Sequence, residues 1–425
     1  MSSENVPNGT NDIVPDYGIG SPDVEWVRMQ RLALLSGAVG VGVFTVMGVM
    51  HSAIGDTGTI RQFFLSYLTA WVFWLSLPVG CMALIGITQI TGASWGVLLN
   101  RMFEASTRTL PLLALLFVPL AISVFIEDAS PYPWSKKAID LVSGDAAVHE
   151  LQEKFDDWCN PKGFVLRAVI YFAFWGFFIY ILNSRSARVE KNNDMKARRL
   201  IESISGPLLM FFCLGNMFAS TDFVISIELS WFSTMFPVIY CVNQMLTSLC
   251  FCIAVFLTLS RQPSVKKVLR PKFQLDMGSF LLGLTMIWSY TSFAQFLLVW
   301  IGNLPEEIPF FLKRTRGGWE YAARALCVLH FALPFMLLLF RDVKLHPRRL
   351  RAVAIGIMIM CALDVLWWIE PVYEHDGGPL FLLMDAAAIV GMGGIWAWFF
   401  LGQLKRHPLL PTNYLPQLPG ANHGH

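Results

Sequence analysis

A run of thirty-nine residues, 62–100, contains no charged side chain. A helix that crosses the hydrocarbon core of a bilayer needs about 20 predominantly apolar residues, and comparable apolar segments recur along the chain. Charged residues make up only 15% of the sequence, and the mean hydropathy is +0.53, which is unusual for a soluble domain. The sequence therefore predicts an all-α polytopic membrane protein.

Ten segments are long and apolar enough to be transmembrane helices. The predicted spans are 32–54, 62–87, 106–126, 164–182, 204–221, 235–259, 277–302, 320–340, 352–372 and 380–402. An even number of spans places both termini on one side of the membrane. Lys and Arg are concentrated in the connections 183–203, 260–276 and 341–351, and basic connections stay in the cytoplasm. Both termini are therefore predicted to be cytoplasmic, with residues 1–31 and 403–425 as tails and the first tail disordered.

The sequence contains no CxxCH motif for covalent haem and no CxxC run for an iron–sulfur cluster. A single histidine, His330, lies near the middle of a predicted span, so paired axial histidines for a transmembrane haem are missing. We therefore expect no cofactor and no metal to be bound by this chain. If the protein serves a redox reaction, other subunits must carry the electrons.

Ionisable residues within the apolar segments are the strongest local indication of function, because each costs about 2.5–3.5 kcal/mol at the centre of a helix on insertion scales. Asp364 and His330 are predicted near the bilayer midplane. One hypothesis is a proton path through these acids, bases and trapped water. The alternative is that Arg167 and Arg324 neutralise acidic neighbours and stabilise helix packing, with Glu320 and Arg324 paired at i,i+4. The candidates for the proton path are Asp222, Glu228, Arg324, His330, Asp364 and Asp385.

Polar uncharged residues cluster in two predicted spans, where they favour either a wet interior or hydrogen bonds between helices. They are Asn243, Gln244, Thr247 and Ser248, and then Thr285, Ser289, Tyr290, Thr291, Ser292 and Gln295. The chain also has 33 Phe and 15 Trp residues. Such rings suit lipid contact, and they also suit a slot for an isoprenoid quinone, which needs aromatic walls and one or two polar groups.

Specific strings in the sequence resemble a known family. They include WGVLLNRMFEASTRTLPL at 95–112, STDFVISIELSWFST at 220–234, GNLPEEIPF at 302–310 and LDVLWWIEP at 363–371. In this order, over roughly residues 62–411, the chain resembles the ActF family within the NrfD-like superfamily. These proteins are integral-membrane subunits of bacterial alternative complex III, a quinol:cytochrome c oxidoreductase.

The resemblance implies two four-helix bundles, 62–221 and 222–372, with peripheral transmembrane helices at 32–54 and 380–402. It also implies a location in the bacterial inner membrane. The implied partners are an ActC-like paralogue, an iron–sulfur protein and a multihaem cytochrome c, which carry the haem c and the clusters, with a terminal oxidase as a further candidate. Quinol or menaquinol would be the substrate of the complex. Nothing points to nucleic acid. The outer-loop residues Glu306 and Glu307 would order that loop or dock a partner.

These observations together predict a membrane subunit of a quinol-oxidising electron-transport complex, structural and with a role in proton conduction or quinone contact. Whether the chain is itself a catalyst stays open. One alternative is an NrfD-type subunit that binds and oxidises quinol itself. Another is a secondary transporter, although the sequence lacks paired broken helices in matching positions.

Overall fold

The structure is a computed structural model, and it describes residues 24–53, 57–126, 129–135, 158–192, 194–228, 231–259, 269–305, 307–373 and 379–406. These residues are helical wherever they form regular structure, and ten helical segments are long and apolar enough to cross a membrane. The predicted all-α polytopic class and the number of spans are confirmed. Of the predicted tails, 1–31 and 403–425, residues 1–23 and 407–425 lie outside the described residues.

The helices follow one another in the order of the predicted spans. They are α1 (Val24–Ala53), α2 (Thr57–Thr91), α3 (Ser94–Thr107), α4 (Leu110–Ser123), α5 (Pro161–Asn192), α6 (Met195–Phe223), α7 (Phe236–Leu259), α8 (Pro271–Gly302), α9 (Ile308–Arg314), α10 (Trp319–Ala325), α11 (Leu333–Leu339), α12 (Arg341–Leu345), α13 (Pro347–Ile369) and α14 (Pro379–Leu404). Helix α1 begins at Val24, so residues 24–31, predicted to belong to the disordered tail, are helical.

Helix α2 lies at the centre of the fold and packs against α3, α6, α7 and α14. It approaches α7 closely at Gly80, where an added Cβ atom would lie 2.2 Å from the carbonyl oxygen of Gln244. Nearby, the Ser248 hydroxyl donates to the carbonyl oxygens of Ser76 and Leu77, next to Pro78 in the interior of α2. These two hydrogen bonds connect α7 to α2 beside the proline.

The first and last spans, α1 and α14, pack along each other. An added Cβ atom on Gly40 would lie 2.5 Å from the backbone of Gly391. Small residues allow this close packing. In a membrane the hydrophobic effect does not drive helices together, so van der Waals contact between closely packed helices stabilises the pair. The pair was predicted to be peripheral, and the division of the other spans into two bundles stays a prediction.

The eighth span contains a π-helical segment, Leu326–Ala332, between α10 and α11. Pro334 follows directly, and a proline has no N–H group to donate to the carbonyl four residues earlier, which belongs to His330. The backbone widens before the proline, as π segments do, and such segments are frequent at functional sites. His330 is therefore placed on an irregular turn rather than on an ordinary α-helix.

Candidate functional site

Asp364 lies near the C-terminal end of α13, with its side chain 2% exposed. Its Oδ2 atom accepts a hydrogen bond from Asn243 Nδ2 at 2.9 Å and another from Trp288 Nε1 at 2.7 Å. Both donors are neutral, and among the described residues no Lys, Arg or His forms an ion pair with this carboxyl group. Helix α13 spans Pro347–Ile369, and the depth of Asp364 in the bilayer stays a prediction.

His330 is fully buried and stacks on Trp288, with 3.8 Å between the ring centroids. Its Nε2 atom lies 3.7 Å from the sulfur of Cys361, and its Nδ1 atom has no hydrogen-bond partner among the described residues. His330 and Asp364 thus contact the same indole but do not hydrogen-bond to each other. Trp288 connects the two residues that the sequence singled out.

A cavity of about 620 Å³ borders Asp364. Aromatic side chains form most of its wall, and a few polar groups face it. The lining comprises Trp231, Phe236, Ile239, Trp288, Ser289, Ser292, Phe293, Gln295, Phe296, Phe310, Phe311, Thr315, Ala323, Leu326, Cys327, Phe331, Asp364, Trp367 and Trp368. Ser289, Ser292 and Gln295 belong to the polar set that the sequence predicted for this span. Because Phe293 and Phe296 are 61% and 43% exposed on the apolar surface of α8, the cavity reaches the side that lipid would cover.

The short helix α9 contributes Phe310 and Phe311 to the cavity wall and is held in place by Arg314. The Arg314 guanidinium donates to the carbonyl oxygens of Trp367 at 3.0 Å, Trp368 at 2.5 Å and Phe310 at 2.8 Å. It also lies over the Phe310 ring, 3.4 Å from the centroid. Burial lowers the pKa of Arg314 to about 9, and the nearby Glu228 carboxylate opposes this shift. Arg314 thereby fixes α9 to the end of α13.

Glu228, a predicted proton-path candidate, pairs with the cations of α9. Its Oε1 atom lies 2.6 Å from Lys313 Nζ, and its Oε2 atom lies 3.7 Å from Arg314 Nη1. Glu307 directly precedes this helix, and Glu306 lies outside the described residues. The geometry gives Glu228 a role in positioning α9.

Asp222, at the C-terminal end of α6, is saturated with donors. Arg167 binds both of its carboxylate oxygens, at 2.8 and 2.9 Å, and the Trp158 indole and the Tyr171 hydroxyl donate at 2.9 and 2.7 Å. The predicted neutralisation of an acidic neighbour by Arg167 is what this geometry shows. A carboxylate held by a bidentate guanidinium and two further donors is a packing element.

Arg324 does not form the predicted ion pair with Glu320. Its guanidinium lies 5.4 Å from the centroid of the Tyr321 ring, while Glu320 accepts from the backbone N–H of Gly318. Glu320 is at the start of α10, where free backbone N–H groups attract a carboxylate. The last candidate, Asp385, lies on α14 beside Glu370 and is not among the residues that line the cavity.

Helix α3 carries a buried charged cluster that sequence reasoning had placed in a cytoplasmic connection. Glu104 accepts from Arg101 at 2.8 Å and from Asn100 at 2.7 Å, and it also hydrogen-bonds to Ser186 of α5. Arg101 forms a second ion pair with Glu190. The third span therefore begins at Ser94, with a break near Arg108, and not at residue 106. A hydropathy average counts each charged residue as polar. It therefore excluded this part of α3 from the span, although the charges there pair with one another.

Sequence reasoning missed Trp288, Arg314 and the two phenylalanines of α9. A tryptophan in an apolar segment is indistinguishable in the sequence from one that faces lipid, and α9 lies outside any span. Among the described residues, no group of three His, Cys, Asp or Glu side chains is arranged to hold a metal ion. No model of a known protein family and no curated protein sequence matches the chain.

Proposed function

We propose that this protein is a membrane subunit of a quinol-oxidising electron-transport complex, and that the cavity beside Asp364 holds the quinol ring. The observation that carries the proposal is one juxtaposition: an aromatic cavity next to a buried carboxyl group whose described partners are all neutral. The resemblance to the ActF family supports the type of complex. The proposed setting is the inner membrane of a bacterium, with both termini in the cytoplasm.

The cavity fits a planar ring in size and in chemistry. Its volume of about 620 Å³ is within the range of small-molecule sites, roughly 300–1,000 Å³. Aromatic walls accept a flat ring in offset-stacked or edge-to-face contact. A quinol also presents a hydroxyl group at each end, and Asp364 and Gln295 offer hydrogen-bond acceptors on the cavity wall. Few other lipid-soluble metabolites combine a flat ring with two ionisable hydroxyl groups.

The position of the opening favours a ligand that arrives through the bilayer. Phe293 and Phe296 line the cavity and are also exposed on the outside of α8. Cys327, on the π-helical segment, also lines the cavity and is exposed on the outside. An isoprenoid tail could leave the cavity between these helices and remain in lipid while the ring stays inside.

Asp364 is suited to accept a proton from the bound ring. Oxidation of one quinol releases two electrons and two protons. The ionised carboxylate can take one proton from a ring hydroxyl, while Trp288 and Asn243 keep its Oδ2 atom fixed. The two electrons would go to metal centres in partner subunits, which the resemblance implies, and the second proton would go to solvent. This chain then supplies binding and proton acceptance.

Photoaffinity labelling of the purified full-length protein with an azido-quinone tests the cavity. We expect labelled peptides from α8 and α13, and we expect excess unlabelled quinone to compete. Ala323→Trp should fill the cavity and abolish labelling, because Ala323 lines it. Val328→Trp is the matched control, since Val328 is 55% exposed on the neighbouring π-helical segment. Labelling that survives Ala323→Trp, or that maps elsewhere, would overturn the quinol site.

A separate experiment tests the complex. Purification in mild detergent through a C-terminal tag should bring down multihaem c-type cytochromes and an iron–sulfur protein, visible by mass spectrometry and by a redox spectrum. A colourless protein that purifies alone would contradict the assembly and would favour a transporter.

A further inference from the structure

A second pair of buried acids, Glu370 and Asp385, lies apart from the cavity. Glu370 is in the short turn that follows α13, Asp385 is on α14, and each is 2% exposed. Their carboxyl groups lie side by side, since Gln62 and Ser66, one turn apart on α2, each bind one of them. Helix α2 covers the pair, with Gln62 Nε2 2.7 Å and Thr69 Oγ1 3.1 Å from the two oxygens of Glu370. Ser66, on the same face of α2, hydrogen-bonds to Asp385.

The cluster has more acceptors than donors. The two carboxyl groups offer four oxygens, and the donors from α2 are one amide and two hydroxyl groups. Gln62 is 1% exposed, and its Oε1 atom, on the amide that binds Glu370, has no hydrogen-bond partner among the described residues. A buried acceptor without a donor is costly. The cluster is therefore short of donors, and a proton bound by one of the two carboxyl groups would add one.

No described cation forms an ion pair with either acid. Arg61 precedes Gln62, but its guanidinium lies over the Tyr373 ring, 5.2 Å from the centroid. The other charges on this side of the fold, Glu228 with Lys313 and Arg314, form their own cluster. Two carboxylates that lie side by side without a cation cannot both remain ionised, and an ionised carboxyl group can only accept hydrogen bonds.

We propose that Glu370 and Asp385 form a proton-binding pair that holds one exchangeable proton at the junction of α2, α13 and α14. In the loaded state the carboxylic acid O–H of one residue donates to the carboxylate of the other. The site is distinct from the quinol cavity and does not depend on the proposed function.

Infrared difference spectroscopy of the purified full-length protein, in potassium buffer, tests the pair. We expect a carboxylic acid C=O band at neutral pH that shifts in D₂O. The isosteric variants Glu370→Gln and Asp385→Asn should each shift this band, since each changes the partner of the proton, and the double variant should lack it. Asp364→Asn should leave the band in place, which separates this site from the cavity.

Two results would overturn the proposal. One is a band that is unchanged in both single variants. The other is the absence of any such band together with a carboxylate band that responds to Na⁺ in place of K⁺, which would identify a metal cation rather than a proton. If the double variant does not fold, the single variants decide, because an amide preserves the shape of each side chain and keeps one acceptor oxygen.

Discussion

Asp222 and Asp364 are both buried aspartates near the end of a helix, but their surroundings differ in one decisive respect. Asp222 is bound by the guanidinium of Arg167 through both oxygens. Asp364 has only the neutral donors Asn243 and Trp288, and it borders a cavity. The first carboxylate is already compensated, whereas the second still has capacity for a proton or a ligand.

The difference shows that depth in the membrane does not by itself separate functional acids from structural ones. The partner does. A buried charge that is paired and hydrogen-bonded stabilises packing only while both partners are present. A buried acid with neutral partners can change its protonation state without leaving a second charge exposed to apolar surroundings.

The largest effect is expected when the Asp222 pair is broken. Asp222→Asn leaves the Arg167 cation without its counter-charge in a mostly buried position, which typically costs about 3–5 kcal/mol. The measurement is the free energy of unfolding in mixed micelles. The double variant Arg167→Met with Asp222→Leu should recover much of the lost free energy of unfolding, because an apolar pair leaves no buried charge without a partner. If Asp222→Asn were as stable as the wild type, the distinction between the two aspartates would be lost.

A smaller effect is expected at α9. Arg314→Met removes the donors to the carbonyl oxygens of Trp367 and Trp368, and hydrogen bonds of charged groups contribute about 1.5–3 kcal/mol. The same unfolding measurement should show a loss of about 2–3 kcal/mol. Lys313→Met is the matched control and should cost less, because Lys313 is 34% exposed and Glu228 keeps Arg314 as a second cation. Equal losses in the two variants would contradict the role assigned to Arg314.

Trp288→Phe tests the other side of the comparison. It keeps an aromatic ring against His330 but removes the N–H donor to Asp364. We expect quinone binding about tenfold weaker, equivalent to about 1.4 kcal/mol, measured by competition of the photoaffinity label. Trp175→Phe is the control, since the Trp175 N–H group is buried without a hydrogen-bond partner among the described residues. A similar loss in both variants would mean that the indole of Trp288 acts only by packing.

The sequence predicts the membrane architecture well because the cost of burying charge in lipid leaves a clear pattern. It also identifies Asp364, His330 and Ser292 as unusual residues in their segments. It does not reveal that Trp288 joins the first two, because the contact brings together α8, α13 and the π-helical segment. The ion pair expected between Glu320 and Arg324 fails for a local reason: the free N–H groups at the start of α10 are nearer to Glu320.

The charged turn of α3 shows the opposite limitation. Arg101 and Glu104 fall between the predicted spans 62–87 and 106–126, yet with Arg108 they form a mostly buried cluster. Averaged hydropathy treats each charge as exposed to its surroundings and cannot register that partners from α5 will neutralise it. For the same reason, the sequence does not show what Gln62, Ser66 and Thr69 contact. They share one face of α2, and only the folded structure brings Glu370 and Asp385 to that face.

The smallest effect on stability is expected for Asp364→Asn, and this prediction separates the two regions most sharply. Asparagine keeps the shape of aspartate and still presents an oxygen to the Trp288 indole, and no described cation loses its partner. The free energy of unfolding should therefore fall by less than about 1 kcal/mol, against the several kcal/mol expected at Asp222. Quinol-linked proton release by the assembled complex should nevertheless drop markedly, measured with a pH-sensitive dye, because the amide cannot accept a proton at neutral pH. Unchanged proton release and turnover would show that Asp364 is a structural acid after all, and neutral donors alone would then no longer mark a functional carboxyl group in this fold.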